Sequence, residues 1–325
     1  MRRVAVTAVS LILLASSWAL SSVFGMQRSA GLPTATHVGV VVPDIEAALR
    51  SYADVFGIPV PEVQPVQIPL PDGSREPTKR AVVPMPGFHI EVLEPEGTSG
   101  PIAEHLAAFG ISAHQIGFAV EGNLEEVRDA MIAKGGTLSA VQDGLFAYVD
   151  FRERLGLTIE IQPSDRNPNS PATVGRQTGL FGGLPVRHVA LAVRDVEDAI
   201  EGFADVLGLT PTEPILFPPQ PGPFPFPPGL WNVNSKVRAA MLQLANIGLE
   251  LIQPVGGPSP WTDTLDKQRG NAIQHLSVGR GEMDRETWLR IGQEKGGRWT
   301  NGGSNGEFGG FAYLDFTETL GLIFE

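Results

Sequence analysis

Apolar positions along this chain follow two periods. In "HVGVVV" (37–42) they run almost unbroken, as in a strand covered on both faces. Directly after it, Ile45, Ala48, Leu49, Tyr52 and Phe56 recur at three- and four-residue spacing and form one stripe of an amphipathic helix. Asp44 stands at the N-cap of that helix and Gly57 at its end. "HQIGFAV" (114–120) reads as another strand. "NLEEVRDAMIAK" (123–134) has the helical period again, started by Asn123 and stopped by Gly135 and Gly136. "FAYVDF" (146–151) and "LTIEIQ" (157–162) alternate as hairpin strands.

The pattern is written twice. "HVGVVVPDIEAALRSYADVFG" (37–57) aligns with "HVALAVRDVEDAIEGFADVLG" (188–208), and "HIEVLEP" (89–95) with "GLELIQP" (248–254). "AHQIGFAV" (113–120) is set against "QHLSVGRG" (274–281), and "FAYVDFRERLGLTIE" (146–160) against "FAYLDFTETLGLIFE" (311–325). The order is the same in both halves, so the chain is organised as two modules, 34–163 and 185–325, with a polar, Pro- and Gly-rich linker at 164–184. Each module is itself doubled, giving four strand–helix–three-strand (βαβββ) units and an α+β fold class. The second module carries a Pro-rich insertion, "EPILFPPQPGPFPFPPGLWN" (213–232), which reads either as a stiff surface connector or as an apolar lid including Trp231.

Composition narrows the function classes. At 42% hydrophobic and 18% charged residues, the chain has ample core. Its formal net charge of −12 excludes nucleic acid and an anionic membrane surface as natural partners. Residues 1–26, with Arg2 and Arg3 ahead of a long uncharged apolar run, read as a secretory signal peptide cut between Ser21 and Gln27. The alternative is a retained N-terminal anchor, the one route to a membrane. An exported protein without cysteine suits a periplasmic or secreted location, and thiolate chemistry is excluded.

Four of the six histidines fall in equivalent places: His37 with His188, and His114 with His275. Two glutamate pairs do the same, Glu91 with Glu250 and Glu160 with Glu325. All eight lie in apolar strand sequence, where a carboxylate needs a partner because burying it bare costs several kcal/mol (on the order of 2–7 even for a neutral polar group). A divalent ion suits two imidazoles and two carboxylates. Mixed N/O ligation points to Zn, Ni, Co, Mn or Fe(II), and four ligands on a six-coordinate ion leave positions for substrate. His89, on the same strand face as Glu91, reads as an exposed edge-strand residue or else as one that lines the pocket or competes as a ligand; His105 reads as surface, and Asp150 and Asp315 as turn or hairpin residues.

These residues bring the chain to the vicinal oxygen chelate superfamily, which it resembles over both modules. That superfamily includes glyoxalase I, methylmalonyl-CoA epimerase, extradiol dioxygenases and fosfomycin-resistance enzymes. The resemblance implies two cupped mixed sheets, each of two βαβββ units around one ion. By the same resemblance, the ligands are His37, Glu91, His114 and Glu160 in one module and His188, Glu250, His275 and Glu325 in the other. "IEVLEPEGTSGPIAEHLAAFG" followed by "AHQIGFAV" looks like the epimerase branch, whereas the two-His, two-Glu set looks more like bacterial glyoxalase I.

The implied activity is lyase- or isomerase-like proton transfer next to a carbonyl, through a metal-bound enediolate. Glu160 and Glu325 would serve as bases and Glu91 and Glu250 as complementary acids. Two other readings stay open: an Fe(II) extradiol-type dioxygenase, and a non-catalytic protein that sequesters a small apolar or aromatic molecule. The partner in each case is a small molecule, and the chain is a monomer or a homodimer. Because Glu325 is the last residue, the second site is expected to be the less secure of the two.

Overall fold

The computed structural model describes residues 31–166, 179–217, 236–279, 281–304 and 310–325. Two eight-stranded sheets hold the chain, one per module. In the first, β1 (Thr34–Val41) is followed by α1 (Ile45–Phe56), β2 (Gln64–Pro69), β3 (Arg75–Met85), β4 (Phe88–Pro95) and a short α2 (Pro101–Phe109). The plan then repeats as β5 (Ser112–Val120), α3 (Leu124–Ala133), β6 (Thr137–Gln142), β7 (Phe146–Asp150) and β8 (Thr158–Pro163). The sheet order is β2-β3-β4-β1-β5-β8-β7-β6. Strands β1 and β5 pair antiparallel at the centre, and each is flanked by a parallel partner, β4 or β8.

The second module has β9 (His188–Ala192), α4 (Val196–Leu207), β10 (Ile215–Phe217), β11 (Lys236–Gln243), β12 (Gly248–Val255) and α5 (Pro260–Lys267). It ends with β13 (Ala272–Ser277), α6 (Arg285–Glu294), β14 (Arg298–Ser304), β15 (Gly310–Asp315) and β16 (Ile323–Phe324). Its strand order, β10-β11-β12-β9-β13-β16-β15-β14, is that of the first sheet. Each sheet draws only on its own module, so the modules do not exchange halves. The N-terminal segment and most of the Pro-rich insertion, Trp231 included, lie outside the described residues. Among the described residues no helix is long and apolar enough to cross a membrane.

The helix boundaries follow the expected chemistry. Asp44 accepts from the Ala47 amide at 2.9 Å, Asn123 from Glu126 at 3.1 Å and Asp195 from Asp198 at 3.0 Å, each satisfying an amide that the first turn leaves open. Alternate strand residues such as Val38, Val40, Ile90 and Val92 go to one large core under α1 and α3. That core is continuous between modules. Phe181, from the end of the linker, stacks on Phe324 with ring centroids 4.4 Å apart and meets Phe56 edge-on at 5.5 Å. The Gly179 and Leu180 amides bond the Phe56 and Val55 carbonyls at 3.2 and 2.8 Å. A Cβ on Gly179 would sit 2.1 Å from the Phe56 backbone, so only glycine permits this docking. Across the same joint the Tyr52 hydroxyl donates to the Leu320 carbonyl at 2.6 Å.

Candidate metal centre

The other residues of the same strands, out of phase with the core, carry the chemistry. In module two, His188 (β9), Glu250 (β12), His275 (β13) and Glu325, just beyond β16, come together. His188 Nε2 lies 3.1 Å from an oxygen of Glu250, 3.1 Å from one of Glu325 and 3.2 Å from His275 Nε2. His275 Nε2 lies 3.6 Å from each of the same oxygens. The Gln274 side-chain oxygen bonds His275 Nδ1. That bond places the proton on Nδ1 and leaves the Nε2 lone pair facing the cluster, the orientation a metal-binding imidazole needs.

Burial alone would lower the His188 pKa, but Glu250 and Glu325 outweigh it and raise it to about 10. Burial pushes the Glu325 carboxyl up, and hydrogen bonds with His188 and His275 more than reverse that, holding it well below the usual carboxylate range. Glu325 is not frayed. Its amide donates to Leu276 O at 3.0 Å, and its carbonyl accepts from Val278 and Gly279 at 3.0 and 3.1 Å. A cluster of two carboxylates and two imidazoles, with a proton on His188 at its centre, is a donor set that a divalent ion fits in place of that proton.

Module one differs. His37, Glu91 and Glu160 converge, with His37 Nε2 2.9 Å from Glu160 and 3.8 Å from Glu91. The structure does not bring His114 to them. Strand β5 carries a bulge: Gly39 pairs with Gln115 and Val40 with Ala113, which leaves His114 without a partner across the ladder. The corresponding bulge in β13 falls at Gln274, between the pairs Ile273–Leu191 and His275–Ala190. The equivalent of His275 is therefore Gln115, and that of His114 is Gln274. The repeat alignment of these two strands is off by one residue.

His114 instead turns toward α2, with its ring 4.8 Å from that of His105 and Nε2 3.3 Å from the Thr158 hydroxyl. Gln115 reaches into the cup. Its amide nitrogen donates to Glu160 at 2.8 Å, and to Glu91 and the Tyr148 hydroxyl at 3.2 Å each. Arg80, on β3, makes an ion pair with Glu91 from the other side. Burial raises the Glu91 carboxyl pKa, and the Arg80 guanidinium leads the charges that bring it below the ordinary value. A Cβ on Gly117 would lie 2.0 Å from the His37 ring, so that glycine lets His37 lie across β5; Ser277 holds its place in module two.

Three sequence expectations are corrected here. The second cup, not the first, gathers all four expected side chains. His89 is buried and stacks on His37 at 4.7 Å, because β4 lies between β3 and β1 rather than at a sheet edge. His105 is buried as well, with Nε2 2.9 Å from the Ser112 hydroxyl. Asp150 and Asp315 do serve local structure, accepting from the Arg152 and Thr317 amides at 2.8 and 2.9 Å. Arg80, Gln115 and Gln274 were missed. One signal was available: shifting the alignment by one residue sets Ile116 and Phe118 against Leu276 and Val278, where the unshifted alignment sets Ile116 against Ser277.

A family model described as the Glyoxalase/Bleomycin resistance protein/Dioxygenase superfamily matches residues 36–149 and 187–308. The chain is 27% identical to mitochondrial methylmalonyl-CoA epimerase of Mus musculus over 148 residues, 45% of this chain and 70% of that protein. It is 26% identical to the Homo sapiens enzyme over 150 residues, 46% of this chain and 70% of that protein. Among solved structures, a variant of 4-hydroxymandelate synthase from Streptomyces coelicolor has a TM-score of 0.61 at 15% identity, covering 90% of this chain and 92% of that one; this is a likeness of fold. With both modules matched and both sheets in the same order, the chain belongs to the glyoxalase/bleomycin resistance protein/dioxygenase superfamily, the vicinal oxygen chelate proteins, as a tandem of two modules.

Proposed function

We propose that the chain is a metal-dependent enzyme that moves a proton at the carbon next to a carbonyl, with its centre in module two. The observation that carries this reading is the convergence of His188, Glu250, His275 and Glu325 from four separate segments of one sheet. Those four would hold a divalent ion. Once bound, it supplies Lewis-acid charge against the negative charge that develops on a substrate oxygen as the C–H bond breaks.

Glu325 takes the proton from carbon, and Glu250 serves as the complementary acid that returns one. The atoms balance: one C–H bond breaks and one forms, Glu250 draws the proton it returns from solvent, and Glu325 passes the proton it took to solvent. Two features support these roles. Glu325 is held ionised by its hydrogen bonds with His188 and His275, the form a general base needs before it takes a proton. Glu250 and Glu325 also keep 17% of their side-chain surface exposed, against 2% for Glu91 and 9% for Glu160, so the second cup is the more accessible to a substrate. The relatives named as epimerases favour the same reaction class.

The test is proton–deuterium exchange in D2O, followed by NMR on protein loaded with Co2+ or Ni2+. Probes are methylmalonyl-CoA, its pantetheine analogue and simple 2-hydroxy ketones, the latter two because residues 1–26 read as an export signal. Exchange is expected in the wild type and a loss of about 100-fold or more in Glu325→Gln with its ion retained. An ion-loaded wild type that exchanges none of these protons, or a Glu325→Gln variant that exchanges at the wild-type rate, overturns the reading.

A further inference from the structure

Cup one answers the charge of its two carboxylates from within the chain. The Arg80 guanidinium pairs with Glu91 and is attracted also by Glu160. Gln115 closes the opposite side. His114 Nδ1 lies 2.7 Å from the Gln115 oxygen, which fixes that oxygen as acceptor and turns the amide NH2 toward Glu91 and Glu160. An amide NH2 is a donor with no lone pair to offer a cation. Both carboxylates are therefore committed to donors, and a divalent ion beside them would face a fixed positive charge at close range.

The register shows what replaces these two groups in module two. Arg80 pairs with Leu93 across β3 and β4, and Ala239 pairs with Ile252 at the same step of β11 and β12. Gln115 and His275 occupy the same step of β5 and β13, facing Gly39 and Ala190. Cup two thus has a buried methyl group where cup one has a guanidinium, and an imidazole lone pair where cup one has an amide N–H. Among the described residues, the ion pairs of Glu250 and Glu325 run to imidazoles, with a further attraction between Glu325 and Arg187.

We propose that Arg80 takes the place of the metal ion in module one, so that the chain binds its divalent ion in module two alone. The inference rests on the metal reading of module two for the single site it leaves, and on Arg80 and Gln115 for the site it removes.

The experiment is equilibrium dialysis of the full chain against Zn2+, and separately Ni2+, with elemental analysis. Wild type is expected to hold one ion, His188→Ala none, and His37→Ala one. The double variant Arg80→Ala/Gln115→His, which removes the guanidinium and gives cup one the two-His, two-Glu ligand set of cup two, is expected to hold two. Two ions in the wild type, or an ion that survives His188→Ala and is lost in His37→Ala, overturns the inference. So does a double variant that unfolds cooperatively yet gains no ion. A wild type without any ion defeats the function proposed for module two, and the double variant then decides on Arg80 by gaining an ion or not. Should the double variant fail to fold, the contrast between His37→Ala and His188→Ala decides.

Discussion

The two cups present the same pair of glutamates on equivalent strands, and each places a histidine beside a glutamine on its central strand. Module one writes that pair His114–Gln115 and module two writes it Gln274–His275. In both, the imidazole Nδ1 bonds its neighbour's side-chain oxygen. In both, the bulge leaves the first residue of the pair out of the ladder and sends the second in among the carboxylates. Exchanging the order of two adjacent residues therefore changes what arrives at the acids: an imidazole lone pair in one cup, an amide N–H in the other. Composition and spacing are almost unchanged, while the chemistry available at the site is not.

The largest break in this comparison comes from the imidazole. His275→Ala removes a donor from cup two and leaves Glu250 and Glu325 with one imidazole partner fewer. Its expected effect is a loss of more than about 100-fold in ion affinity, beyond the 10–100-fold cost typical of losing an orienting partner. His114→Ala, its counterpart in the unshifted repeat, is expected to leave ion content unchanged. Competition titration against a chelator measures both. Equal losses in the two variants would mean that the bulge does not sort the histidines as described.

A smaller effect belongs to Gln274, which orients rather than ligates. Gln274→Ala frees His275 to exchange tautomers and rotate, and ion affinity is expected to fall by about 10–100-fold. Gln115→Ala in module one should leave the ion content of the chain as it is. The contrast separates positioning from general packing, because each variant removes one buried amide beside a histidine. A Gln274→Ala loss with no conservative rescue by Gln274→Glu, which keeps the acceptor oxygen, would argue against the tautomer role.

Much of this architecture was legible from residues. The helical stripe ending at Phe56, the caps at Asp44 and Asn123 and the doubled repeat follow from local chemistry, and local chemistry is written in short sequence. Three of the four expected side chains in cup one, and all four in cup two, do converge. What the sequence concealed depends on register. A bulge changes which side chain enters a cup without changing any residue. Arg80 reads as one charge in a strand of mixed pattern until β3 is laid beside β4. The burial of His89 likewise needs β4 laid beside β1, where it meets the His37 ring, and that of His105 needs α2 packed back on β5.

Acid sharpens the comparison from the side of module one. Burial is the main cause lowering the His114 pKa to about 4; Arg152 adds to it and the bond to Gln115 opposes it. His105 is shifted the same way, by burial first and then by His114, with smaller contributions from Arg152 and Lys267. Both imidazoles stay neutral in the folded chain at pH values where the unfolded chain, near 6.5, already takes the proton. The contribution of His114 to stability is thus complete above pH 6.5 and is lost as pH falls through about 4, and that of His105 is lost in the same direction. The slope from each group is at most about 1.4 kcal/mol per pH unit. Module two has Gln274 at the position of His114, and glutamine does not titrate. Hydrogen exchange is therefore expected to show α2 and β5 opening on acidification before α5 and β13. In urea unfolding, His114→Gln should be less sensitive than the wild type between pH 6.5 and 4. If wild type and variant lose stability in parallel across that range, the buried imidazole is not what distinguishes the modules in acid.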